Sequence, residues 1–195
     1  MPTVQILAFR GTGKFDDPAH AHLPKFIKTG HVTLKFESDP VFYGFRPTEA
    51  AVQGVGGEEA MLRRLLQRHA ADGSLQDDAE LFRCAHRLSL QGHRTAVWAL
   101  SRRLAPRVYQ RVLLTARYWH RSGKVVGQYA LPKREDDALD PGEYNCATFP
   151  VRFGIQIPTA NAKMSVYMEA MQRAGARRWF PSICVPVEVP TRRAG

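Results

Sequence analysis

Residues 30–47, GHVTLKFESDPVFYGFRP, decide the fold. His31 to Glu37 has the β-branched and aromatic content of a strand, Ser38-Asp39-Pro40 is a turn signal, and Val41 to Phe45 is a second strand. Two such runs around a short polar turn make a β-hairpin. His31 opens the first strand directly after Gly30. Strand pairing would therefore fix its ring.

Upstream, residues 3–10 (TVQILAFR) read as another strand ending at Gly11-Thr12-Gly13, and 14–29 read as loop. Downstream, EEAMLRRLLQRHAA follows Gly56-Gly57 and repeats its apolar residues at helical spacing, with Asp72-Gly73 as its stop. Residues 77–89 fit a short helix holding Cys84 and His86. Residues 94–101 fit a strand, Val108 to His120 a helix and 162–175 a second helix. SICVPVEVP, carrying Cys184, reads as a final apolar strand in which the thiol is buried and inert. Strands early and helices late give an α+β class, with 195 residues suited to a single domain.

Composition excludes several classes. The chain has no apolar run near the roughly 18 residues of a membrane span, so no transmembrane segment is expected. MPTVQILAFRGTG lacks a basic leader and cleavage site, so synthesis in the cytoplasm is expected, with any export by a signal-peptide-independent route. Three distant cysteines without CxxC spacing argue against a disulfide framework or zinc ribbon. The net charge of +10 attracts anionic polymers in general. Because the cations occur as dispersed pairs such as Arg63-Arg64 and Arg102-Arg103, no specific nucleic-acid partner is expected. Gly11-Thr12-Gly13 lacks the lysine of a phosphate loop, and Gly54-Val55-Gly56-Gly57 lacks dinucleotide spacing. Asp77-Asp78 with Glu80 reads as a solvated acidic turn. No cofactor or metal is expected.

GEYNCATFP, residues 142–150, places Cys146 after Asn145, where a turn or helix can begin. Backbone N–H groups there would stabilise a thiolate and a developing oxyanion. A thiol nucleophile also needs a base and a group that orients the base. Of seven histidines, His31 has the most rigid setting.

The order Gly30-His31-Val32, then VFYGFRP, then YNCATF about a hundred residues later resembles the circularly permuted papain-like hydrolases. That group contains permuted NlpC-type amidases and lecithin retinol acyltransferase-like enzymes. The resemblance covers 30–47 and 144–149, with a looser echo in the first strand and in 155–158. It implies a small antiparallel sheet packed on helices, with the histidine strand first and the cysteine opening a late helix. Cys146 would be the nucleophile and His31 the general base. The orienting residue would lie on the next strand, about twelve positions on, at Tyr43; Glu37, Asp39 and Asp78 stand as alternatives. A tyrosine departs from the usual pattern. So does Pro150, which would push the helix start to Phe149 or leave Cys146 on a short turn.

The implied activity is a cysteine hydrolase cleaving an amide in a peptide or peptidoglycan stem, as a cytoplasmically made bacterial effector would. The same Cys-His site could instead act on an acyl chain, as a lipase or acyltransferase does; a third reading is a non-catalytic basic binding module. Residues 46–107 would be a cleft-shaping insertion. Being rich in arginine, that insertion predicts a polar groove and so favours a peptide or cell-wall-like substrate.

Overall fold

The computed structural model describes residues 1–13, 25–132, 139–161 and 163–181. Cys184 with its expected strand, and His20 and His22, lie outside the described residues. The chain forms an α+β fold around one eight-stranded sheet: β1 (Thr3–Arg10), β2 (Gly30–Phe36), β3 (Phe42–Pro47), β4 (Ala71–Asp77), β5 (Val97–Arg103), β6 (Gly127–Tyr129), β7 (Glu143–Tyr144) and β8 (Arg177–Arg178). The spatial order is β7-β6-β4-β3-β2-β1-β5-β8. All neighbours are antiparallel except β6 and β7.

The helices are α1 (Lys25–Thr29), α2 (Glu49–Gly54), α3 (Glu58–Leu66), α4 (Ala79–Leu90), α5 (Pro106–Ser122) and α6 (Met164–Arg173). They cover both faces of the sheet. Side chains alternate across a strand, so β1 sends Val4, Ile6 and Ala8 to one side and Leu7 and Phe9 to the other. On the first side, α5 contributes Val112, Leu113 and Ala116, and α6 contributes Tyr167, Met168 and Met171. On the second, α1 contributes Ile27 and α4 contributes Leu81, Phe82 and Ala85. With both faces covered, β1 is buried from Ile6 to Phe9. No described helix is long and apolar enough to cross a membrane.

Three expectations change. Asp72-Gly73 lies inside β4, paired with Gln128 and Gly127, and does not stop α3. Thr48 caps the unexpected α2 by accepting the Ala51 N–H through its hydroxyl. The stretch 46–107 is no insertion as a whole. Its β4 and β5 are interior strands of the sheet, and the α2–α3 arm stands beside the cleft with Arg46, Pro47 and Gln76.

The strands place one glycine where a side chain cannot go. Gly44 on β3 lies between β2 and β4, opposite Thr33 and Gln76. A Cβ built there would meet Asp78 Oδ2 at 1.3 Å. The Asp78 carboxylate thus crosses β3 over the one residue that offers no obstruction. We expect Gly44→Ala to destabilise the protein by about 3 kcal/mol, by forcing a buried carboxylate off its partners. Gly54→Ala, with open space around it, should change stability by no more than about 0.5 kcal/mol. Denaturant unfolding of the two variants checks the difference.

Candidate active site

The nucleophile candidate is delivered by a strand pair and a capped turn. β7 runs parallel to β6, with Tyr129 beside Tyr144, and the Ala130 N–H donates to the Tyr144 carbonyl at 2.9 Å. The chain then tightens at Asn145. Asn145 Oδ1 accepts the N–H groups of Ala147 and Thr148, each at 2.9 Å, while Thr148 Oγ1 accepts the Asn145 N–H at 3.0 Å. This reciprocal cap fixes Cys146 at the start of a single turn that leads into a 3₁₀ helix, Phe149–Phe153. Pro150 sits in the first turn of that helix, where no N–H is needed. Phe149 clamps the assembly to the sheet by stacking on Phe45 of β3, centroids 4.1 Å apart. Beneath it, the buried Tyr167 hydroxyl donates to the Ala147 carbonyl at 3.4 Å.

His31, near the start of β2, is completely buried. Its Nε2 lies 2.7 Å from Asp78 Oδ2, so the ring nitrogen left for a second partner is Nδ1. Cys146 is close enough to act on that ring by charge, its thiolate favouring the protonated imidazole. Asp78 follows β4 and precedes α4. Its neighbour Asp77 does the capping, accepting the N–H groups of Phe42 and Ala79, which releases the Asp78 carboxylate toward His31. Arg46 Nη2 closes the line at 2.9 Å from Asp78 Oδ1. Guanidinium, carboxylate, imidazole and thiol thus follow one another in alternating charge.

The electrostatics follow from this order. Burial opposes charge on His31, but the Asp78 carboxylate and the Cys146 thiolate outweigh it and raise the ring to about 9. Burial also pushes the Cys146 thiol up, yet His31, the Val32 N–H and the Tyr129 hydroxyl together bring it below its ordinary value. Tyr129 itself is held well above the usual phenol range, first by burial and then by the neighbouring thiolate. These neighbours thus favour the thiolate–imidazolium form of the pair. This is the reactive form of a cysteine nucleophile.

Tyr43 does not orient His31. The β2–β3 register pairs Tyr43 with Leu34 and Gly44 with Thr33, so Tyr43 has the parity of the opposite sheet face. Its hydroxyl donates to Asp39 Oδ2 at 3.1 Å, and Arg117 holds the same carboxylate. Glu37 is also engaged elsewhere, accepting the Thr3 N–H. The residue at His31 is Asp78. It is buried, not the solvated turn that its acidic neighbours suggest. Arg46 and Tyr129 carry no motif signal; only the sheet register could reveal them.

Cys146 opens on a cleft of about 720 Å³, within the range of small-molecule sites. Its walls include Val52 of α2, Met61 and Leu65 of α3, Leu131 and Met164. The groove is mainly apolar, with Arg46, Glu49, Glu58 and Gln76 among its polar lining, contrary to the polar one expected from an arginine-rich segment. α3 turns Met61 and Leu65 inward and its arginines outward. No family profile, curated protein or solved structure matches the chain.

With Cys84 and Cys184 replaced by alanine, Cys146 is expected to alkylate rapidly near pH 6. His31→Ala should slow it by about two orders of magnitude, the thiolate fraction lost when a thiol returns to its ordinary range. By NMR, the His31 ring should titrate near 9. In Asp78→Asn it should fall, because burial then acts with one carboxylate fewer against it.

Proposed function

We propose that the protein is a cysteine hydrolase with a permuted papain-like site, acting on a carbonyl that carries an apolar acyl group. The observation that carries this reading is the buried line Arg46–Asp78–His31–Cys146 ending at the floor of an apolar cleft. Cys146 Sγ attacks the carbonyl carbon and its negative charge passes to the carbonyl oxygen. The intermediate collapses to a thioester as the His31 imidazolium gives its Nδ1 proton to the leaving amine or alcohol. His31, now neutral, takes a proton from water; the hydroxide attacks the thioester and releases the carboxylate, and the cysteine returns to the thiolate.

Asp78 holds the ring in place and favours its charged form, and Arg46 keeps that carboxylate paired. Tyr129 has a double part. Its hydroxyl donates to the resting thiolate, and once sulfur is bound to carbon that donor is released toward the oxyanion.

The sequence favours an amide in a peptide or peptidoglycan stem, and the acyl-chain reading shares its nucleophile and base. The aliphatic part of the cleft lining supports the acyl-chain reading. Val52, Met61, Leu65 and Met164 offer nothing to a peptide's hydrogen-bonding groups but match an alkyl chain.

A series of p-nitrophenyl acyl esters tests this. We expect kcat/KM to rise by about threefold per methylene until the cleft is filled, the gain for burying one CH₂. Leu65→Trp should remove that gain and spare short esters. Tyr129→Phe should lower turnover by about a hundredfold. Cys146→Ala should abolish turnover. Cleavage of peptidoglycan fragments, with no preference among esters, would return the assignment to amide hydrolysis; ester turnover by the Cys146→Ala variant would end the thiol mechanism.

A further inference from the structure

The net positive charge of this protein is not spread along the chain. Residues 81–132 contain ten of its 28 Lys and Arg residues and none of its 18 Asp and Glu residues. The rest of the chain holds eighteen of each, so the net charge of +10 belongs to this one segment. Dispersed arginine pairs conceal the asymmetry, which appears only when the acids are counted beside them.

Within the segment, α5 concentrates the charge on a single face. Arg107, Arg111, Leu114, Tyr118 and Arg121 recur at spacings of four and three and are all exposed, while Tyr109, Val112, Leu113 and Ala116 face the core. Lys124 and Val125 extend the same end of the helix. Among the described residues, Arg107, Arg111, Arg121 and Lys124 take part in no ion pair. Arg117, the remaining cation of α5, is held by Asp39. At the centre of this field Leu114 is 59% exposed and Tyr118 is 61% exposed. Exposed Leu114 and Tyr118 set among unpaired arginines match a partner that supplies both anions and an apolar layer.

We propose that the outward face of α5 docks on an anionic lipid bilayer. The face from Arg107 to Arg121 extends about 21 Å along a straight helix. It is convex, so it suits a plane better than a threaded chain. The arginines meet headgroup phosphates, while Leu114 enters the interfacial layer and Tyr118 lies at headgroup level, as amphipathic aromatics do. A nucleic-acid backbone would satisfy the arginines but leave Leu114 in water. The docking surface is independent of the chemistry at Cys146.

The full chain carrying Cys146→Ala, in which turnover cannot intervene, is sedimented with vesicles of phosphatidylcholine alone or with one-third phosphatidylglycerol. Binding is expected only to the anionic vesicles, and to weaken as salt rises. Combining Arg107→Glu, Arg111→Glu and Arg121→Glu should lower apparent affinity by about a hundredfold. Combining Arg83→Glu, Arg87→Glu and Arg94→Glu makes the same charge change on the α4 side of the sheet and should cost about threefold at most. All six side chains are exposed, and circular dichroism verifies that each variant is folded. Equal losses in the two variants would mean that net charge acts and not this face, and would overturn the proposal. So would the absence of vesicle binding, or tighter binding to a single-stranded oligonucleotide than to the vesicles.

Discussion

A charged imidazole buried in the resting site is the constraint around which the molecule is arranged. His31 is fully buried yet held in its protonated form by what surrounds it. An isolated ion in such a place would lose its proton or unfold the domain. It persists because Arg46, Asp78 and Cys146 complete an alternating row whose charges cancel. Each member comes from a different part of the chain: β3, the β4–α4 junction, β2 and the turn after β7. The register of the sheet is thus also the geometry of the site, since a slip of one residue would send His31 or Arg46 to the wrong face.

Local features were legible in the sequence. β1, the β2–β3 hairpin, α5 and α6 announce themselves by periodicity and turn residues, and the residue order around His31 and Cys146 pointed to two side chains that the fold brings together. What depends on distance was not legible. His31 and Asp78 are 47 residues apart, and nothing in Asp77-Asp78 says which carboxylate caps the helix and which turns inward. Tyr43 was chosen by counting along the chain, but pairing parity puts it behind the sheet. β4 escaped because ADGSLQD has the composition of a turn; it becomes a strand by pairing with β3 and β6.

The cleft and the surface differ in character in a way that averages hide. Residues counted as an arginine-rich excursion divide between helices that line the cleft with aliphatic side chains and strands that complete the sheet. α3 alone supplies both Leu65 to the cleft and Arg64 to solvent. Helical periodicity separates them by less than one turn. Composition predicts the chemistry of neither surface.

Gly44 carries a consequence for ancestry. Every alternative residue would place a carbon where the Asp78 carboxylate lies, so drift at this position is closed while the reactive row is kept. A descendant that gave up the row would have no reason to retain the glycine. Position 44, read together with 31, 46, 78 and 146, therefore separates lineages that have kept the buried row from those that carry only the scaffold.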